Sequence, residues 1–201
     1  MMTLSETLLA GLGVASSTLR SSEKLDAELS AIAAKAQNAW PSLTLGLHEF
    51  VAKLSESLDT ADSIEALQGL HHEDLFLAAV CATGDIDGLN LFRERYENDI
   101  RNILGRLQLP AHDIDDAMQQ LSGILFVAKP GSVAKIAEYR GRGSLLGYVR
   151  VVATRIGVLI KRASQKTPWH ASQELLVIAN DDDDQALTYQ KKHYRSQFKR
   201  A

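Results

Sequence analysis

An all-α protein is what this chain predicts, on three observations. Apolar residues recur at helical spacing along most of its length. Short alternating runs rich in Val, Ile and Thr between Gly turns are nearly absent, apart from an ambiguous LLVIA at 175–179. Turn residues stand where the helical pattern breaks. With 201 residues, 45% of them hydrophobic and 23% charged, the chain can bury a core in one domain or two small ones.

Periodicity predicts helices near 22–37, 41–58, 62–70, 74–83, 85–108, 113–129, 132–139, 144–163 and 184–200. Ala39-Trp40-Pro41 leads into a capped amphipathic helix with Leu43, Leu47, Phe50, Val51 and Leu54 on one stripe. After Pro110, Asp113 is the expected N-cap of the next helix, and Lys129-Pro130-Gly131 stops it. Gly141-Arg142-Gly143-Ser144 is a turn that ends on a second cap, Ser144. The helix at 113–129 turns Ile114, Ala117, Met118, Leu121, Ile124, Leu125 and Ala128 inward and leaves Asp115, Asp116, Gln119, Ser122 and Phe126 outside. A Phe among acids and amides suits a protein contact, and equally suits packing on the N-terminal helices. In the helix that follows Ser144, Leu146, Val149, Val152, Ala153, Ile156, Leu159 and Ile160 share one side. Arg150, Thr154 and Lys161 share the other, with Arg155 and Arg162 along its margin.

Charge is distributed unevenly. Residues 135–166 hold eight of the 22 Lys and Arg against one acid, Glu138, a local charge of +7 in a chain of net charge -3. Residues 1–74 hold eleven acids and four bases, a local charge of -7. A solvated helix face usually mixes Glu with Lys, but no carboxylate occurs between Glu138 and Glu174. A basic island that includes Tyr139 and Tyr148 offers cations to phosphates and ring faces to bases, so it predicts a nucleic-acid surface. The acidic N-terminal part reads either as helices packed on the core or as an arm that covers the basic surface. Asp181 to Asp184 reads as a solvated loop or as a similar cover.

Other chemistries find little support, and neither an enzyme nor a cofactor is expected. The lone Cys81 sits in the apolar run FLAAVCATG and reads as a buried small residue. His71-His72-Glu73-Asp74 resembles a ligand cluster, yet neighbours on a helix point apart and no His or Cys one turn on completes a metal site. Gly141 to Ser144 is too short for a phosphate loop and lacks its strand and trailing Lys. The start, MMTLSETLLAGLGVASS, lacks the basic head and apolar core of a secretory signal, and no run of about eighteen apolar residues occurs. A cytoplasmic protein without membrane partners is expected.

Three segments together resemble the second conserved region of bacterial RNA polymerase sigma factors, in particular the small extracytoplasmic-function kind. Asp74-Leu75 followed by AAVCATGDIDGLNLFRERYENDI is similar to that family's opening helix pair, with its "GD" turn and "F..RY" close. HDIDDAMQQLSGILF resembles the "DAEDLVQEVFLRLL" type of segment that docks on the polymerase clamp helices. IAEYRGRGSLLGYVRVVATRIGVLIKR resembles the melting segment and promoter-reading helix, usually "F..WL..IARN...D..RR". The similarity covers about residues 74–166. Tyr148 stands where the family commonly has Trp, Gln120 where it has Glu, Ser122 where it has Phe, and Arg155 where it often has Asn.

The resemblance implies a compact helical bundle of the sigma region-two type, at 71–166, behind an N-terminal helical extension, 1–70, and before an acidic loop and linking helix, 167–201. It implies that Asp113, Asp116, Gln119, Gln120 and Phe126 meet the clamp helices of core RNA polymerase. It also implies that Tyr139, Arg140, Arg142, Tyr148, Arg150, Thr154, Arg155, Lys161 and Arg162 meet the −10 promoter element on its melted non-template strand. An anti-sigma protein is a further expected partner, of which the residues give no identity. LTYQKKHYRSQFKRA resembles the helix that precedes a C-terminal helix-turn-helix, and the chain stops there. That implies either a longer protein or one that acts without the −35 reader. Two other readings compete: a helical DNA-binding regulator that never touches polymerase, and an interaction module whose basic helix binds an acidic protein.

Overall fold

The sequence Thr3-Leu4-Ser5-Glu6 starts the first helix with a capping box. The Thr3 hydroxyl accepts from the Glu6 N–H at 3.2 Å, and the Glu6 carboxylate accepts from the Thr3 N–H at 2.7 Å. The computed structural model describes residues 2–13, 23–58 and 67–164. Their helices are α1 (Leu4–Gly11), α2 (Glu23–Ala39), α3 (Leu47–Ser55), α4 (His72–Ala82), α5 (Ile86–Gly105), α6 (Ala111–Phe126) and α7 (Leu145–Ser164). A 3-10 turn, Lys135–Glu138, lies between the last two. No strand occurs among the described residues, so the fold is all-α. The helix expected at 184–200, the ambiguous run at 175–179, the Asp181 to Asp184 cluster and most of the helix expected at 62–70 lie outside the described residues.

The described residues fall into two compact units, one made of those within 2–100 and 122–149, the other of 101–121 and 150–164. The units therefore divide the chain elsewhere than at residue 70, because α2 and α3 pack directly on α4. In the first unit Phe50 of α3 meets Phe76 of α4 edge-on, ring centres 5.4 Å apart, in a core that also buries Leu9, Leu29, Leu54, Leu75 and Leu77. α1 lies so close on α3 that a Cβ at Gly11 would stand 2.0 Å from the Ser55 hydroxyl, so only glycine fits there. In the second unit Leu104, Ala117, Leu121, Val152 and Ile156 are buried.

Several boundaries differ from the periodicity, each for a local reason. α1 was not expected, although its capping box is written in the sequence. The helix expected from 41 begins at Leu47, because the Gln37 amide N–H donates to the Trp40 and Leu43 carbonyls and holds 41–46 as a loop. Leu43 is still buried, whereas Leu47, expected on the apolar stripe, is exposed. α6 starts two residues early, so Asp113 is not its N-cap. It lies in the first turn, where its charge still favours the helix N-terminus. Residues 135–138 form a 3-10 turn within the expected helix. Ser144 does cap α7, its hydroxyl accepting from the Gly147 N–H at 3.1 Å.

Candidate nucleic-acid interface

In the first unit, the turn after the 3-10 segment is built around a left-handed residue. Gly141 has φ +67°, a conformation that side chains disfavour, and its carbonyl accepts from the His71 N–H at 2.8 Å. At the start of α4, the Asp74 carboxylate accepts from the first amide of α7, Leu145 N–H, at 2.8 Å, and from the Tyr96 hydroxyl at 3.1 Å. A negative group at a helix N-terminus is favourable, and here it fixes where α7 begins. Burial, then the Asp74 carboxylate, raises the Tyr96 phenol well above its ordinary range.

Tyr139 is placed differently from the expected ring face. It is only 3% exposed, its hydroxyl donates to the Gly143 carbonyl, and its ring packs on Tyr148 with centres 5.5 Å apart. Burial pushes its phenol far up, with Asp74 adding to the effect. Tyr148 is half-buried and donates to the Lys135 carbonyl at 2.7 Å. The closed turn thus presents no face of Tyr139 to a base, and Tyr148 only in part. Arg140 and Arg142 also have protein partners. Arg140 donates to the Glu56 carbonyl at 2.8 Å and pairs with its carboxylate at 3.0 Å, while Arg142 donates twice to the Ser57 carbonyl, at 3.0 and 3.3 Å. Lys135 is buried and pairs with Glu138 at 2.6 Å.

In the second unit the basic face of α7 divides again. Lys161 donates to the Leu107 carbonyl at 2.8 Å, in the turn that follows α5. Arg150 and Arg162 are exposed and Arg155 and Thr154 half-exposed. No carboxylate among the described residues lies within 4.0 Å of Arg150, Arg155 or Arg162. On α7 these three are arginines without a carboxylate partner among the described residues.

The residues expected to dock on polymerase are also sorted by the fold. Asp116 and Gln119 are exposed on α6. Asp113 is half-buried beside His112, at 3.3 Å. Gln120 is half-buried, and its side-chain oxygen is buried with no hydrogen-bond partner among the described residues. Phe126, in the first unit, packs edge-on against Phe92 of α5 with centres 5.0 Å apart. Its ring is therefore a partly covered contact on α5 rather than a free outward anchor. Asp115 pairs with Arg101 at 2.8 Å.

Lys53, Glu56, Ser57 and Asp74 belong to the polar framework of the turn, and none is singled out for that by the sequence. Their partners lie 71 to 85 residues away, a separation over which local pattern carries no signal. Among the described residues no group of three or more His, Cys, Asp and Glu is placed to hold a metal ion, and no helix is long and apolar enough to cross a membrane. Burial pushes the Cys81 thiol up to about 12, which leaves it protonated and unreactive at neutral pH. No family model matches the chain, and searches of curated proteins and of solved structures found no match.

Proposed function

We propose that this protein is a transcription initiation factor that binds core RNA polymerase and engages the −10 promoter element. The observation that carries the reading is the set of arginines on α7, Arg150, Arg155 and Arg162, which have no carboxylate partner among the described residues. Guanidinium groups along one helix, with no carboxylate beside them among the described residues, suit phosphate neutralisation, and Thr154 adds a short hydroxyl donor within the same stretch. The resemblance of 74–166 to sigma region two supports the choice of ligand. Asp116 and Gln119, exposed on α6, are the residues of the clamp-docking set most open to a partner.

Fluorescence anisotropy with matched single-stranded and duplex −10-like oligonucleotides, at two salt concentrations, tests the reading. Preference for the single non-template strand is expected. A preference for duplex would instead support the plain DNA-binding regulator, a reading that the burial of Tyr139 favours because it needs no free aromatic faces. Binding to neither at moderate salt would support the protein-interaction module. Retention of core polymerase should weaken with Asp116→Arg while helical content stays constant.

A further inference from the structure

We propose that the C-terminal end of α3 is an intramolecular latch. It occupies the guanidinium groups of Arg140 and Arg142, holds the 139–143 turn shut, and must release them before they can bind nucleic-acid phosphate. The inference rests on the nucleic-acid reading above and adds a means of control to it.

The chemistry of the occupant supports this. The last carbonyls of a helix lack intrahelical partners and carry the negative end of its dipole. Arg140 binds the Glu56 carbonyl and Arg142 the Ser57 carbonyl, both just past the end of α3. The Glu56 carboxylate adds a full charge, accepting from Arg140 at 3.0 Å and from Lys53 at 2.7 Å. Lys53 also donates to the Ala137 carbonyl, so both ends of the segment from 137 to 142 are tied to α3. Oxygen acceptors and one carboxylate therefore hold these arginines as a phosphate would.

The contacts are also weak enough to exchange. The Arg140 and Glu56 side chains are 45% and 49% exposed, and an ion pair that open to water is of marginal strength. Glu56 lies between Lys53 and Arg140, so neutralising it leaves two cations facing each other. Opening the turn would also break the Tyr139 contact to Gly143 and uncover the ring that the closed turn buries. One movement would thus release two cations and an aromatic face.

The experiment uses the full chain and compares Glu56→Gln with Glu49→Gln, an equal loss of charge at an exposed residue in the first turn of the same helix. The first readout needs no ligand. Trypsin cleaves after Arg140 and Arg142, and its rate follows how often the turn opens. Glu56→Gln should speed cleavage there about 3- to 5-fold, and Glu49→Gln should not. The second readout is affinity for a single-stranded oligonucleotide, which Glu56→Gln should tighten by a similar factor. In an Arg140→Gln background that gain should vanish. Equal cleavage and equal affinity in the two variants would overturn the latch and leave the nucleic-acid reading standing. Faster cleavage in Glu56→Gln, with no variant binding the oligonucleotide, would support the latch and overturn the nucleic-acid reading.

Discussion

Two stretches of one basic island have opposite fates. Between 135 and 142, Lys135, Arg140 and Arg142 all bind protein oxygens. Between 150 and 162, Arg150, Arg155 and Arg162 have no carboxylate among the described residues, and only Lys161 is held, by a carbonyl. The two stretches look alike in composition, since both lack acids apart from Glu138. What separates them is distant in sequence. The Glu56 carboxylate reaches Arg140 from 84 residues away, and carbonyls just past α3 and α5 accept from Arg140, Arg142 and Lys161, so scarcity of acids along the sequence does not identify which cations are free.

The largest effect should come from removing the group that joins α4 to α7. Asp74→Ala leaves the Leu145 N–H and the Tyr96 hydroxyl without their acceptor. A loss of about 2 to 4 kcal/mol is expected in denaturant unfolding. A loss below about 1 kcal/mol would mean that the turn is positioned by something else. Tyr139→Phe tests the same region more gently, removing only the hydroxyl that meets Gly143. It should cost about 1 kcal/mol in unfolding.

Arg142→Ala and Arg150→Ala put the comparison to a direct test. Arg142→Ala should lower stability by about 1 kcal/mol, since two hydrogen bonds to Ser57 are lost. Arg150→Ala should stay within about 0.5 kcal/mol of wild type in unfolding yet weaken oligonucleotide binding at every sequence tested. Identical behaviour of the two variants in both assays would remove the distinction between the stretches.

The smallest expected effect concerns pH. His72 is held below its ordinary value of 6.5, chiefly by burial, while its Nε2 meets the Leu67 carbonyl at 2.7 Å. As pH falls through 6.5 the unfolded chain takes up the proton before the folded one, so stability present above that pH is lost below it. Urea unfolding at pH 7.5 and 5.5 should show the decline, and His72→Gln should reduce it.

Much of the fold was legible because helical periodicity reports burial directly. On α7 the stripe of Val149, Val152, Ala153 and Ile156 is buried as the spacing predicts, and on α6 so are Ala117, Leu121 and Leu125. The helix at the beginning of the chain was missed, although Thr3 and Glu6 write its capping box, because its apolar stretch is short. The candidate site was less legible. A tyrosine in a basic turn reads as a ring for bases, whereas the structure covers Tyr139 with Gly143 and Tyr148. Nothing local marks it as core, because its partners are set by how the turn closes. The partners of Arg140 and Arg142 were hidden for the same reason, their acceptors lying 84 and 85 residues away.

The salt dependence of single-strand binding tests the central claim most directly. Three phosphate contacts on a single strand contribute a slope of about 2 in log affinity against log salt. Replacing Arg150, Arg155 and Arg162 together with Gln should therefore flatten that slope by about 2 while unfolding stability changes little. An unchanged slope in the triple variant would contradict the assignment of these arginines to a nucleic-acid backbone.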